Sequence, residues 1–469
     1  MVSGIPDILL IILTFAAIIL PAVSAAGADD LSAGIAVADI TPPLGYRMAG
    51  YFSERLNTGT HDPLRAKAIV LRQGGERAAL IFCDILGVPL EVSSEARKKA
   101  EAATGIPASN ILIAATHSHT GPLYSGPMRK YFHDRAVAER GSDPCEKVDY
   151  AAHLVSGIAA AVKEADAAAK PATFAVSVAE HPGLAFNRRF FMKDGSVRFN
   201  PGILNPDIVR AAGPTDPQVR AVFVRGAAGD RPVAAIVNFA LHLDTTGGTE
   251  YSADYPFYLE RSLRSSLGEK FLLLFGTGTC GDINHIDVTR KERPRPDEIG
   301  SRLAAAVLAA AEKPIARPAL AVRREVVSVP LQHCTPEQLA QAREDIKKVG
   351  TRELPFLKQV EACKIVSLEM RGGETAPLEV QVFRLAPDVA VVGLPGEVFV
   401  DLGLAVRQAS PFPVTLVIEL CNDAPGYIPT RKAFAEGSYE TVNSVIAPGG
   451  GEMLAETAAR LLKDLAPQP

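Results

Sequence analysis

Short apolar runs alternate with helix-like stretches along this chain, and that alternation limits the fold more than any other feature. The runs 68–71, 79–82, 110–115, 218–224, 233–240, 271–275, 380–383, 389–392 and 414–420 are rich in Val, Ile, Leu and Ala. Such short apolar, β-branched runs read as buried strands. Helical periodicity marks 93–103, 150–169, 296–312, 336–348 and 451–465. Asp297 and Glu298 suit a helix N-terminus, and Thr335 suits a cap. The pattern predicts an α/β fold: a single large domain over 32–466, with mixed β-sheets covered by helices and the functional residues at the strand C-terminal ends. No repeat or composition shift divides it. The polar stretches 127–147 and 182–217 read as long surface loops.

Hydrophobic residues make up 47% and charged residues 22% of the chain, which points to a packed core and away from disorder. The formal charge of -4 gives no electrostatic case for a nucleic-acid partner. Residues 8–20 form an apolar run closed by Pro21 and followed by Ala22-Val23-Ser24-Ala25-Ala26. That reads as a signal peptide over 1–26, short for a membrane span, and predicts export to the periplasm or medium. Asp7 and the lack of Lys or Arg ahead of the run depart from the usual signal, and an uncleaved run would anchor the chain. The six cysteines form no CxxC pair, so cysteine-ligated zinc is not expected. Cys83, Cys280 and Cys421 border apolar runs and read as small buried hydrophobes, while disulfide pairing stays open.

Several runs lead straight into reactive side chains. Run 110–115 leads to Thr116-His117-Ser118-His119-Thr120-Gly121-Pro122, and run 233–240 leads to His242 and Asp244. Run 389–392 leads to Gly393-Leu394-Pro395-Gly396-Glu397, run 414–420 to Asn422, Asp423 and Tyr427, and run 271–275 to Gly276 through Asp282. Ligands collect beyond strand carboxyl ends in open α/β sheets, so these ends are where a metal site would form. Each feature has a plainer reading. His117 and His119 fit hydrogen-bonded structural histidines, His242 a satisfied core histidine, and Glu397 a helix start. The glycines of 276–281 lack the Lys-Ser/Thr of a phosphate loop, and no G-x-S-x-G elbow is present.

Taken in order, these segments resemble the catalytic domain of the neutral/alkaline non-lysosomal ceramidases, over roughly 34–450. The likeness is carried by Gly34-Ile35-Ala36-Val37-Ala38-Asp39-Ile40-Thr41-Pro42-Pro43, His61-Asp62-Pro63-Leu64-Arg65 and Phe82-Cys83-Asp84. It continues through Ala115 to Pro122, Asn187-Arg188, Asn238 to His242, Gly281-Asp282, Leu394 to Glu397 and Gly426-Tyr427-Ile428-Pro429-Thr430. The resemblance implies a zinc ion held by His117, His242, Glu397 and Tyr427. It implies that His119 orients or deprotonates a water, and that Arg188 and Tyr439 stabilise an oxyanion. Arg189 stands next to Arg188 and competes for that role.

Two departures qualify the expected activity. Asn284 stands where the family carries a serine regarded as essential for amide cleavage; the resemblance keeps it among the catalytic residues, as an amide that donates a hydrogen bond to substrate or oxyanion but is no nucleophile. The sequence ends at Pro469, without the family's C-terminal β-sandwich domain. The expectation is a zinc-dependent amidohydrolase acting on ceramide or another N-acyl substrate, with peripheral membrane contact in the lipid case. The alternatives are a hydrolase of a non-lipid amide, and a metal-retaining protein that binds lipid without cleaving it.

Overall fold

The structure is a computed structural model describing residues 1, 31–226, 229 and 231–467. The expected signal segment from residue 2 onward lies outside the described residues. Two mixed sheets stack face to face. The strands of the large sheet are β1 (Ser32–Asp39), β2 (Arg65–Gln73), β3 (Glu76–Cys83), β4 (Ile111–Ala115), β5 (Lys170–Glu180), β6 (Gln218–Gly226), β7 (Pro232–Phe239), β8 (Leu272–Thr277) and β9 (Lys313–Ile315). Their order is β8-β7-β6-β5-β1-β2-β3-β4, with β9 also paired to β5. The small sheet runs β10 (Ala321–Pro330), β11 (Thr375–Ala386), β12 (Val389–Gly393) and β13 (Val414–Ile418). Neighbours are antiparallel except β3 with β4, β7 with β8, and β12 with β13.

Period-two geometry explains the unbroken apolar runs. In β3, Leu80 and Phe82 face the core between the sheets, while Ala79 and Ile81 face a core under the helices Leu90–Thr104 and Tyr150–Ala167. In β7, Ala234 and Ile236 face the first core, while Ala235 and Val237 pack under Tyr255–Leu267 and Pro296–Ala309. In β12, Val389 and Val391 point inward, while Ala390 and Val392 pack toward Val400–Ala409 and Gly450–Asp464. Both faces of these three strands are thus dry, which is the condition that removes alternation from a strand.

The large sheet curls until its two ends meet. Gly276 on β8 has no room for a side chain: a Cβ there would lie 2.7 Å from Ile418 of β13 and 3.1 Å from Phe82 of β3. Thr277 Oγ1 donates to Thr116 O at 2.7 Å, joining the end of β8 to the end of β4. On the other side, Asn422 N donates to Ile113 O at 2.8 Å and Asn422 Oδ1 accepts from Ile113 N at 2.9 Å, so the turn after β13 continues the ladder of β4.

Two expected loops are structured. The stretch 127–147 is mostly the helix Gly126–Arg140, which starts with Pro at its first turn and ends on left-handed Gly141. Its polar sequence reflects a face turned to solvent, with Phe132 and Ala136 buried beneath. The stretch 182–217 holds the short strands Phe186–Asn187, Arg189–Met192, Val197–Phe199 and Ile208–Ala211. Strands of two to four residues are too short to show a period. All six cysteines are free. No described helix is long and apolar enough to cross a membrane.

Candidate functional site

The carboxyl ends of the parallel strands converge on one cluster. Past β4, Thr116 N donates to Cys83 O and His117 N to Ile85 O, which holds the segment beside the turn after β3. His117 adopts φ +77°, unusual for a residue with a side chain and of the kind concentrated at functional sites. His119 N donates to Leu243 O at 3.0 Å, so the segment after β4 is joined to the segment after β7 that carries His242.

Three imidazoles meet there. His117 Nε2 lies 3.0 Å from His242 Nε2 and 3.3 Å from His119 Nε2. Each ring uses its other nitrogen on a backbone carbonyl: His117 Nδ1 on Leu86 O (2.9 Å), His119 Nδ1 on Gly50 O (2.9 Å) and His242 Nδ1 on Cys280 O (3.2 Å). A carbonyl only accepts, so each Nδ1 carries the proton and each neutral ring aims a lone pair at the other two. Glu397 adds its Oε2 at 3.3 Å from His117 Nε2 and 3.8 Å from His242 Nε2. That oxygen is buried, and no hydrogen-bond donor is aimed at it. Converging lone pairs around an orphaned carboxylate oxygen form a cage that wants a cation.

Glu397 and Tyr427 are direct partners in the parallel pair Glu397–Val398 and Tyr427–Ile428. The Tyr427 phenol hydrogen-bonds the Glu397 carboxylate and accepts from Arg188 Nη2 at 3.0 Å. Arg188 also donates to Gly281 O at 2.8 Å and to Glu440 Oε1 at 2.9 Å, and its Nη1 lies 3.5 Å from His242 Nε2. Arg189 turns away, to Gly437 O and Glu436. Tyr439 packs edge-on to Tyr427 at 5.5 Å between ring centres and stacks against Phe356 and Phe199.

The buried charges set one another. Burial opposes the charged form of His117, but the Glu397 carboxylate beside it prevails and raises its pKa. Burial, then the His117 ring, lowers His119 to about 4. His242 is pushed well down by burial and by Arg188. Burial opposes ionisation of Glu397, yet His117 and Arg188 hold it below the usual carboxylate value. Burial thus favours the neutral forms of His119 and His242, while His117 and Glu397 favour each other's charged forms.

The cluster thus assembles His117, His119, His242, Glu397, Tyr427, Arg188 and Tyr439. It does not include Asn284 among its hydrogen-bonded members: that amide donates to Asn200 Oδ1 at 2.9 Å and accepts from Ile286 N at 3.0 Å. Three supporting acids received no role from the sequence. Glu419, fully buried, accepts from Cys280 N (3.1 Å), Cys280 Sγ (3.0 Å) and Val398 N (2.7 Å). Asp282 accepts from Asn187 Nδ2 (2.7 Å) and Val400 N (2.9 Å). Glu440 neutralises Arg188. A lone acid inside the apolar run 414–420 was the available signal for Glu419; Glu440 offered none. A second group, His133, Asp143 and Glu146, is spaced for a metal, but Arg47 and Arg129 already pair its carboxylates.

Residues 31–247 match the model of the neutral/alkaline non-lysosomal ceramidase family, N-terminal. No curated relative matches the chain. Among solved structures, neutral ceramidase from Pseudomonas aeruginosa superposes with a TM-score of 0.69 at 18% identity, over 94% of this chain and 76% of that one. A ceramidase complexed with C2 gives 0.68 at 18% identity, with the same coverage. The shared feature is the fold.

Proposed function

From the ceramidase-type fold and the cation cage it carries, we propose that the chain is a zinc-dependent hydrolase of N-acyl amides, ceramide-like lipids among them. The observation that carries this reading is the meeting of three imidazole Nε2 atoms with the unpartnered Oε2 of Glu397. Nitrogen and oxygen donors of this kind suit zinc, with His117, His242, Glu397 and Tyr427 as the ligands. A zinc ion held there would polarise a carbonyl and lower the pKa of a bound water.

The protein's own groups supply the rest. His119 is neutral at working pH and tied through Nδ1 to Gly50 O, so its Nε2 is free to take a proton from the attacking water and return it to the leaving amine. Arg188 stays charged, since the Tyr427 and Glu440 oxygens outweigh its burial, and it donates to the developing oxyanion together with the Tyr439 hydroxyl. Asn284 is tied up in its own hydrogen bonds and takes no chemical step. Export outside the cytoplasm, read from residues 8–20, forms part of the same proposal.

The test is elemental analysis of the purified protein with hydrolysis of a panel of N-acyl amides. About one zinc per chain and release of a free amine support the reading. Asn284, in place of a serine, favours the second reading of a lipid-binding protein; stoichiometric zinc with tight lipid binding and no cleavage of any amide would establish that one instead.

A further inference from the structure

Glu419 follows β13 and is fully buried, an acid in the apolar run 414–420. Its Oε2 accepts two backbone N–H groups at once, Cys280 N at 3.1 Å and Val398 N at 2.7 Å. Both groups belong to turns that build the cage. Cys280 O accepts from His242 Nδ1 at 3.2 Å and so orients that ring. Val398 adjoins Glu397, whose Oε2 lies 3.8 Å from His242 Nε2. One oxygen atom thus joins the turn that orients His242 to the turn that presents Glu397. The carboxyl group is itself anchored: its Oε1 accepts from Cys280 Sγ at 3.0 Å, and Glu419 N donates to Thr277 O at 2.9 Å. A second link between the same two turns runs from Gly281 N to Val398 O at 2.9 Å.

We propose that Glu419 is a positioning residue for the cation cage: its Oε2 sets the separation of His242 from Glu397, and through it the affinity and geometry with which zinc is held. The proposal rests on the zinc reading above. Burying a polar group is costly unless it is hydrogen-bonded. The Glu419 carboxyl offsets that cost by serving two buried donors that an apolar side chain would strand. It acts through the backbone on which the two ligands are mounted. Partners standing behind metal ligands fix ligand orientation and tune the metal. The two turns come from distant parts of the chain, after β8 and after β12, so no local geometry fixes their distance. A shared acceptor does.

The experiment measures zinc affinity by chelator competition, and the visible absorption of the cobalt-loaded protein, which reports ligand geometry. It compares the wild type with Glu419→Gln, Glu419→Asp and Glu419→Met. Gln keeps an oxygen within reach of both N–H groups. Asp is one methylene too short to span them, and Met offers no acceptor; if the Met variant fails to fold, the Asp variant carries the test. Gln is expected to match the wild type, while Asp and Met bind zinc roughly 10–100 times more weakly, with shifted cobalt bands. Ile158→Ala controls for general loosening, since Ile158 is fully buried on the helix Tyr150–Ala167, which carries none of the cage residues. It is expected to lose thermal stability and keep the wild-type bands. Wild-type affinity and bands in the Asp and Met variants overturn the proposal and leave the zinc reading intact. So does an equal band shift in Ile158→Ala, or a Gln variant as weak as the Met one. If the wild type holds neither metal, the zinc reading falls, and the His242 Nδ1–H resonance in isotope-labelled protein decides: the same resonance in the wild type and the Asp and Met variants overturns the proposal.

Discussion

His117 and His242 place their Nε2 atoms 3.0 Å apart although they follow strands near opposite ends of one sheet. His117 follows the edge strand β4, and His242 follows β7, next to the far edge. Only the curl of the sheet brings them together, so the cage reports on the closure of the whole domain.

Metal removal is therefore expected to loosen the fold. A ligand present at a hundred times its Kd stabilises the state that binds it by about 3 kcal/mol. Chelation should lower the thermal midpoint of the wild type by several degrees in scanning calorimetry. His117→Ala should start near the chelated midpoint and respond little to chelator.

Arg188 and Glu440 are buried together at 2.9 Å. Replacing Arg188 leaves Glu440 only the longer ion pair with Arg189 Nε at 3.5 Å, a loss of up to about 3–5 kcal/mol. Arg188→Met should lower the denaturation midpoint by that order and abolish turnover. Adding Glu440→Gln should restore much of the stability and none of the turnover, which separates the structural role of the pair from the chemical one.

Burial raises the Glu419 carboxyl to about 8, well above its unfolded value. A raised acid binds its proton more tightly in the folded state, so its contribution declines as pH rises from the unfolded pKa to the folded one. The metal-free protein should thus lose on the order of 3 kcal/mol between about pH 5 and 8. Glu419→Gln should flatten that slope, because the amide oxygen still accepts from Cys280 N and Val398 N. Equal slopes in denaturant titrations across this range would exclude the effect.

Gly281 lies against the backbone of Glu397, and a Cβ there would come within 2.5 Å of Glu397 O. A carbonyl cannot yield as a side-chain tip can. Gly281→Ala should displace the Glu397 turn, costing about 1–3 kcal/mol in stability and weakening zinc binding well beyond that of Gly247→Ala, where the added atom meets open space.

Much of the architecture was legible in the sequence because dry strands leave an unmistakable trace. Runs such as 79–82 and 389–392 have apolar residues at every position, as short strands covered on both faces do. The helix Pro336–Asp345 announced itself through Thr335, whose hydroxyl accepts from Gln338 N. Helix Gly126–Arg140 stayed hidden, since two buried residues give too weak a period.

The sequence by itself determined which residues carry donor chemistry and that they sit just past strand ends. His117, His242, Glu397 and Tyr427 were all readable in that way. Tertiary structure alone decided that His117, His119 and His242 meet beside Glu397, with Tyr427 bonded to that carboxylate, that Arg188 and not Arg189 faces them, and that Asn284 bonds elsewhere. The physical reason is range. A strand or a cap is fixed by neighbours a few positions away, while the cage depends on the curl of a sheet whose ends are joined through Thr277 and Thr116, 161 positions apart.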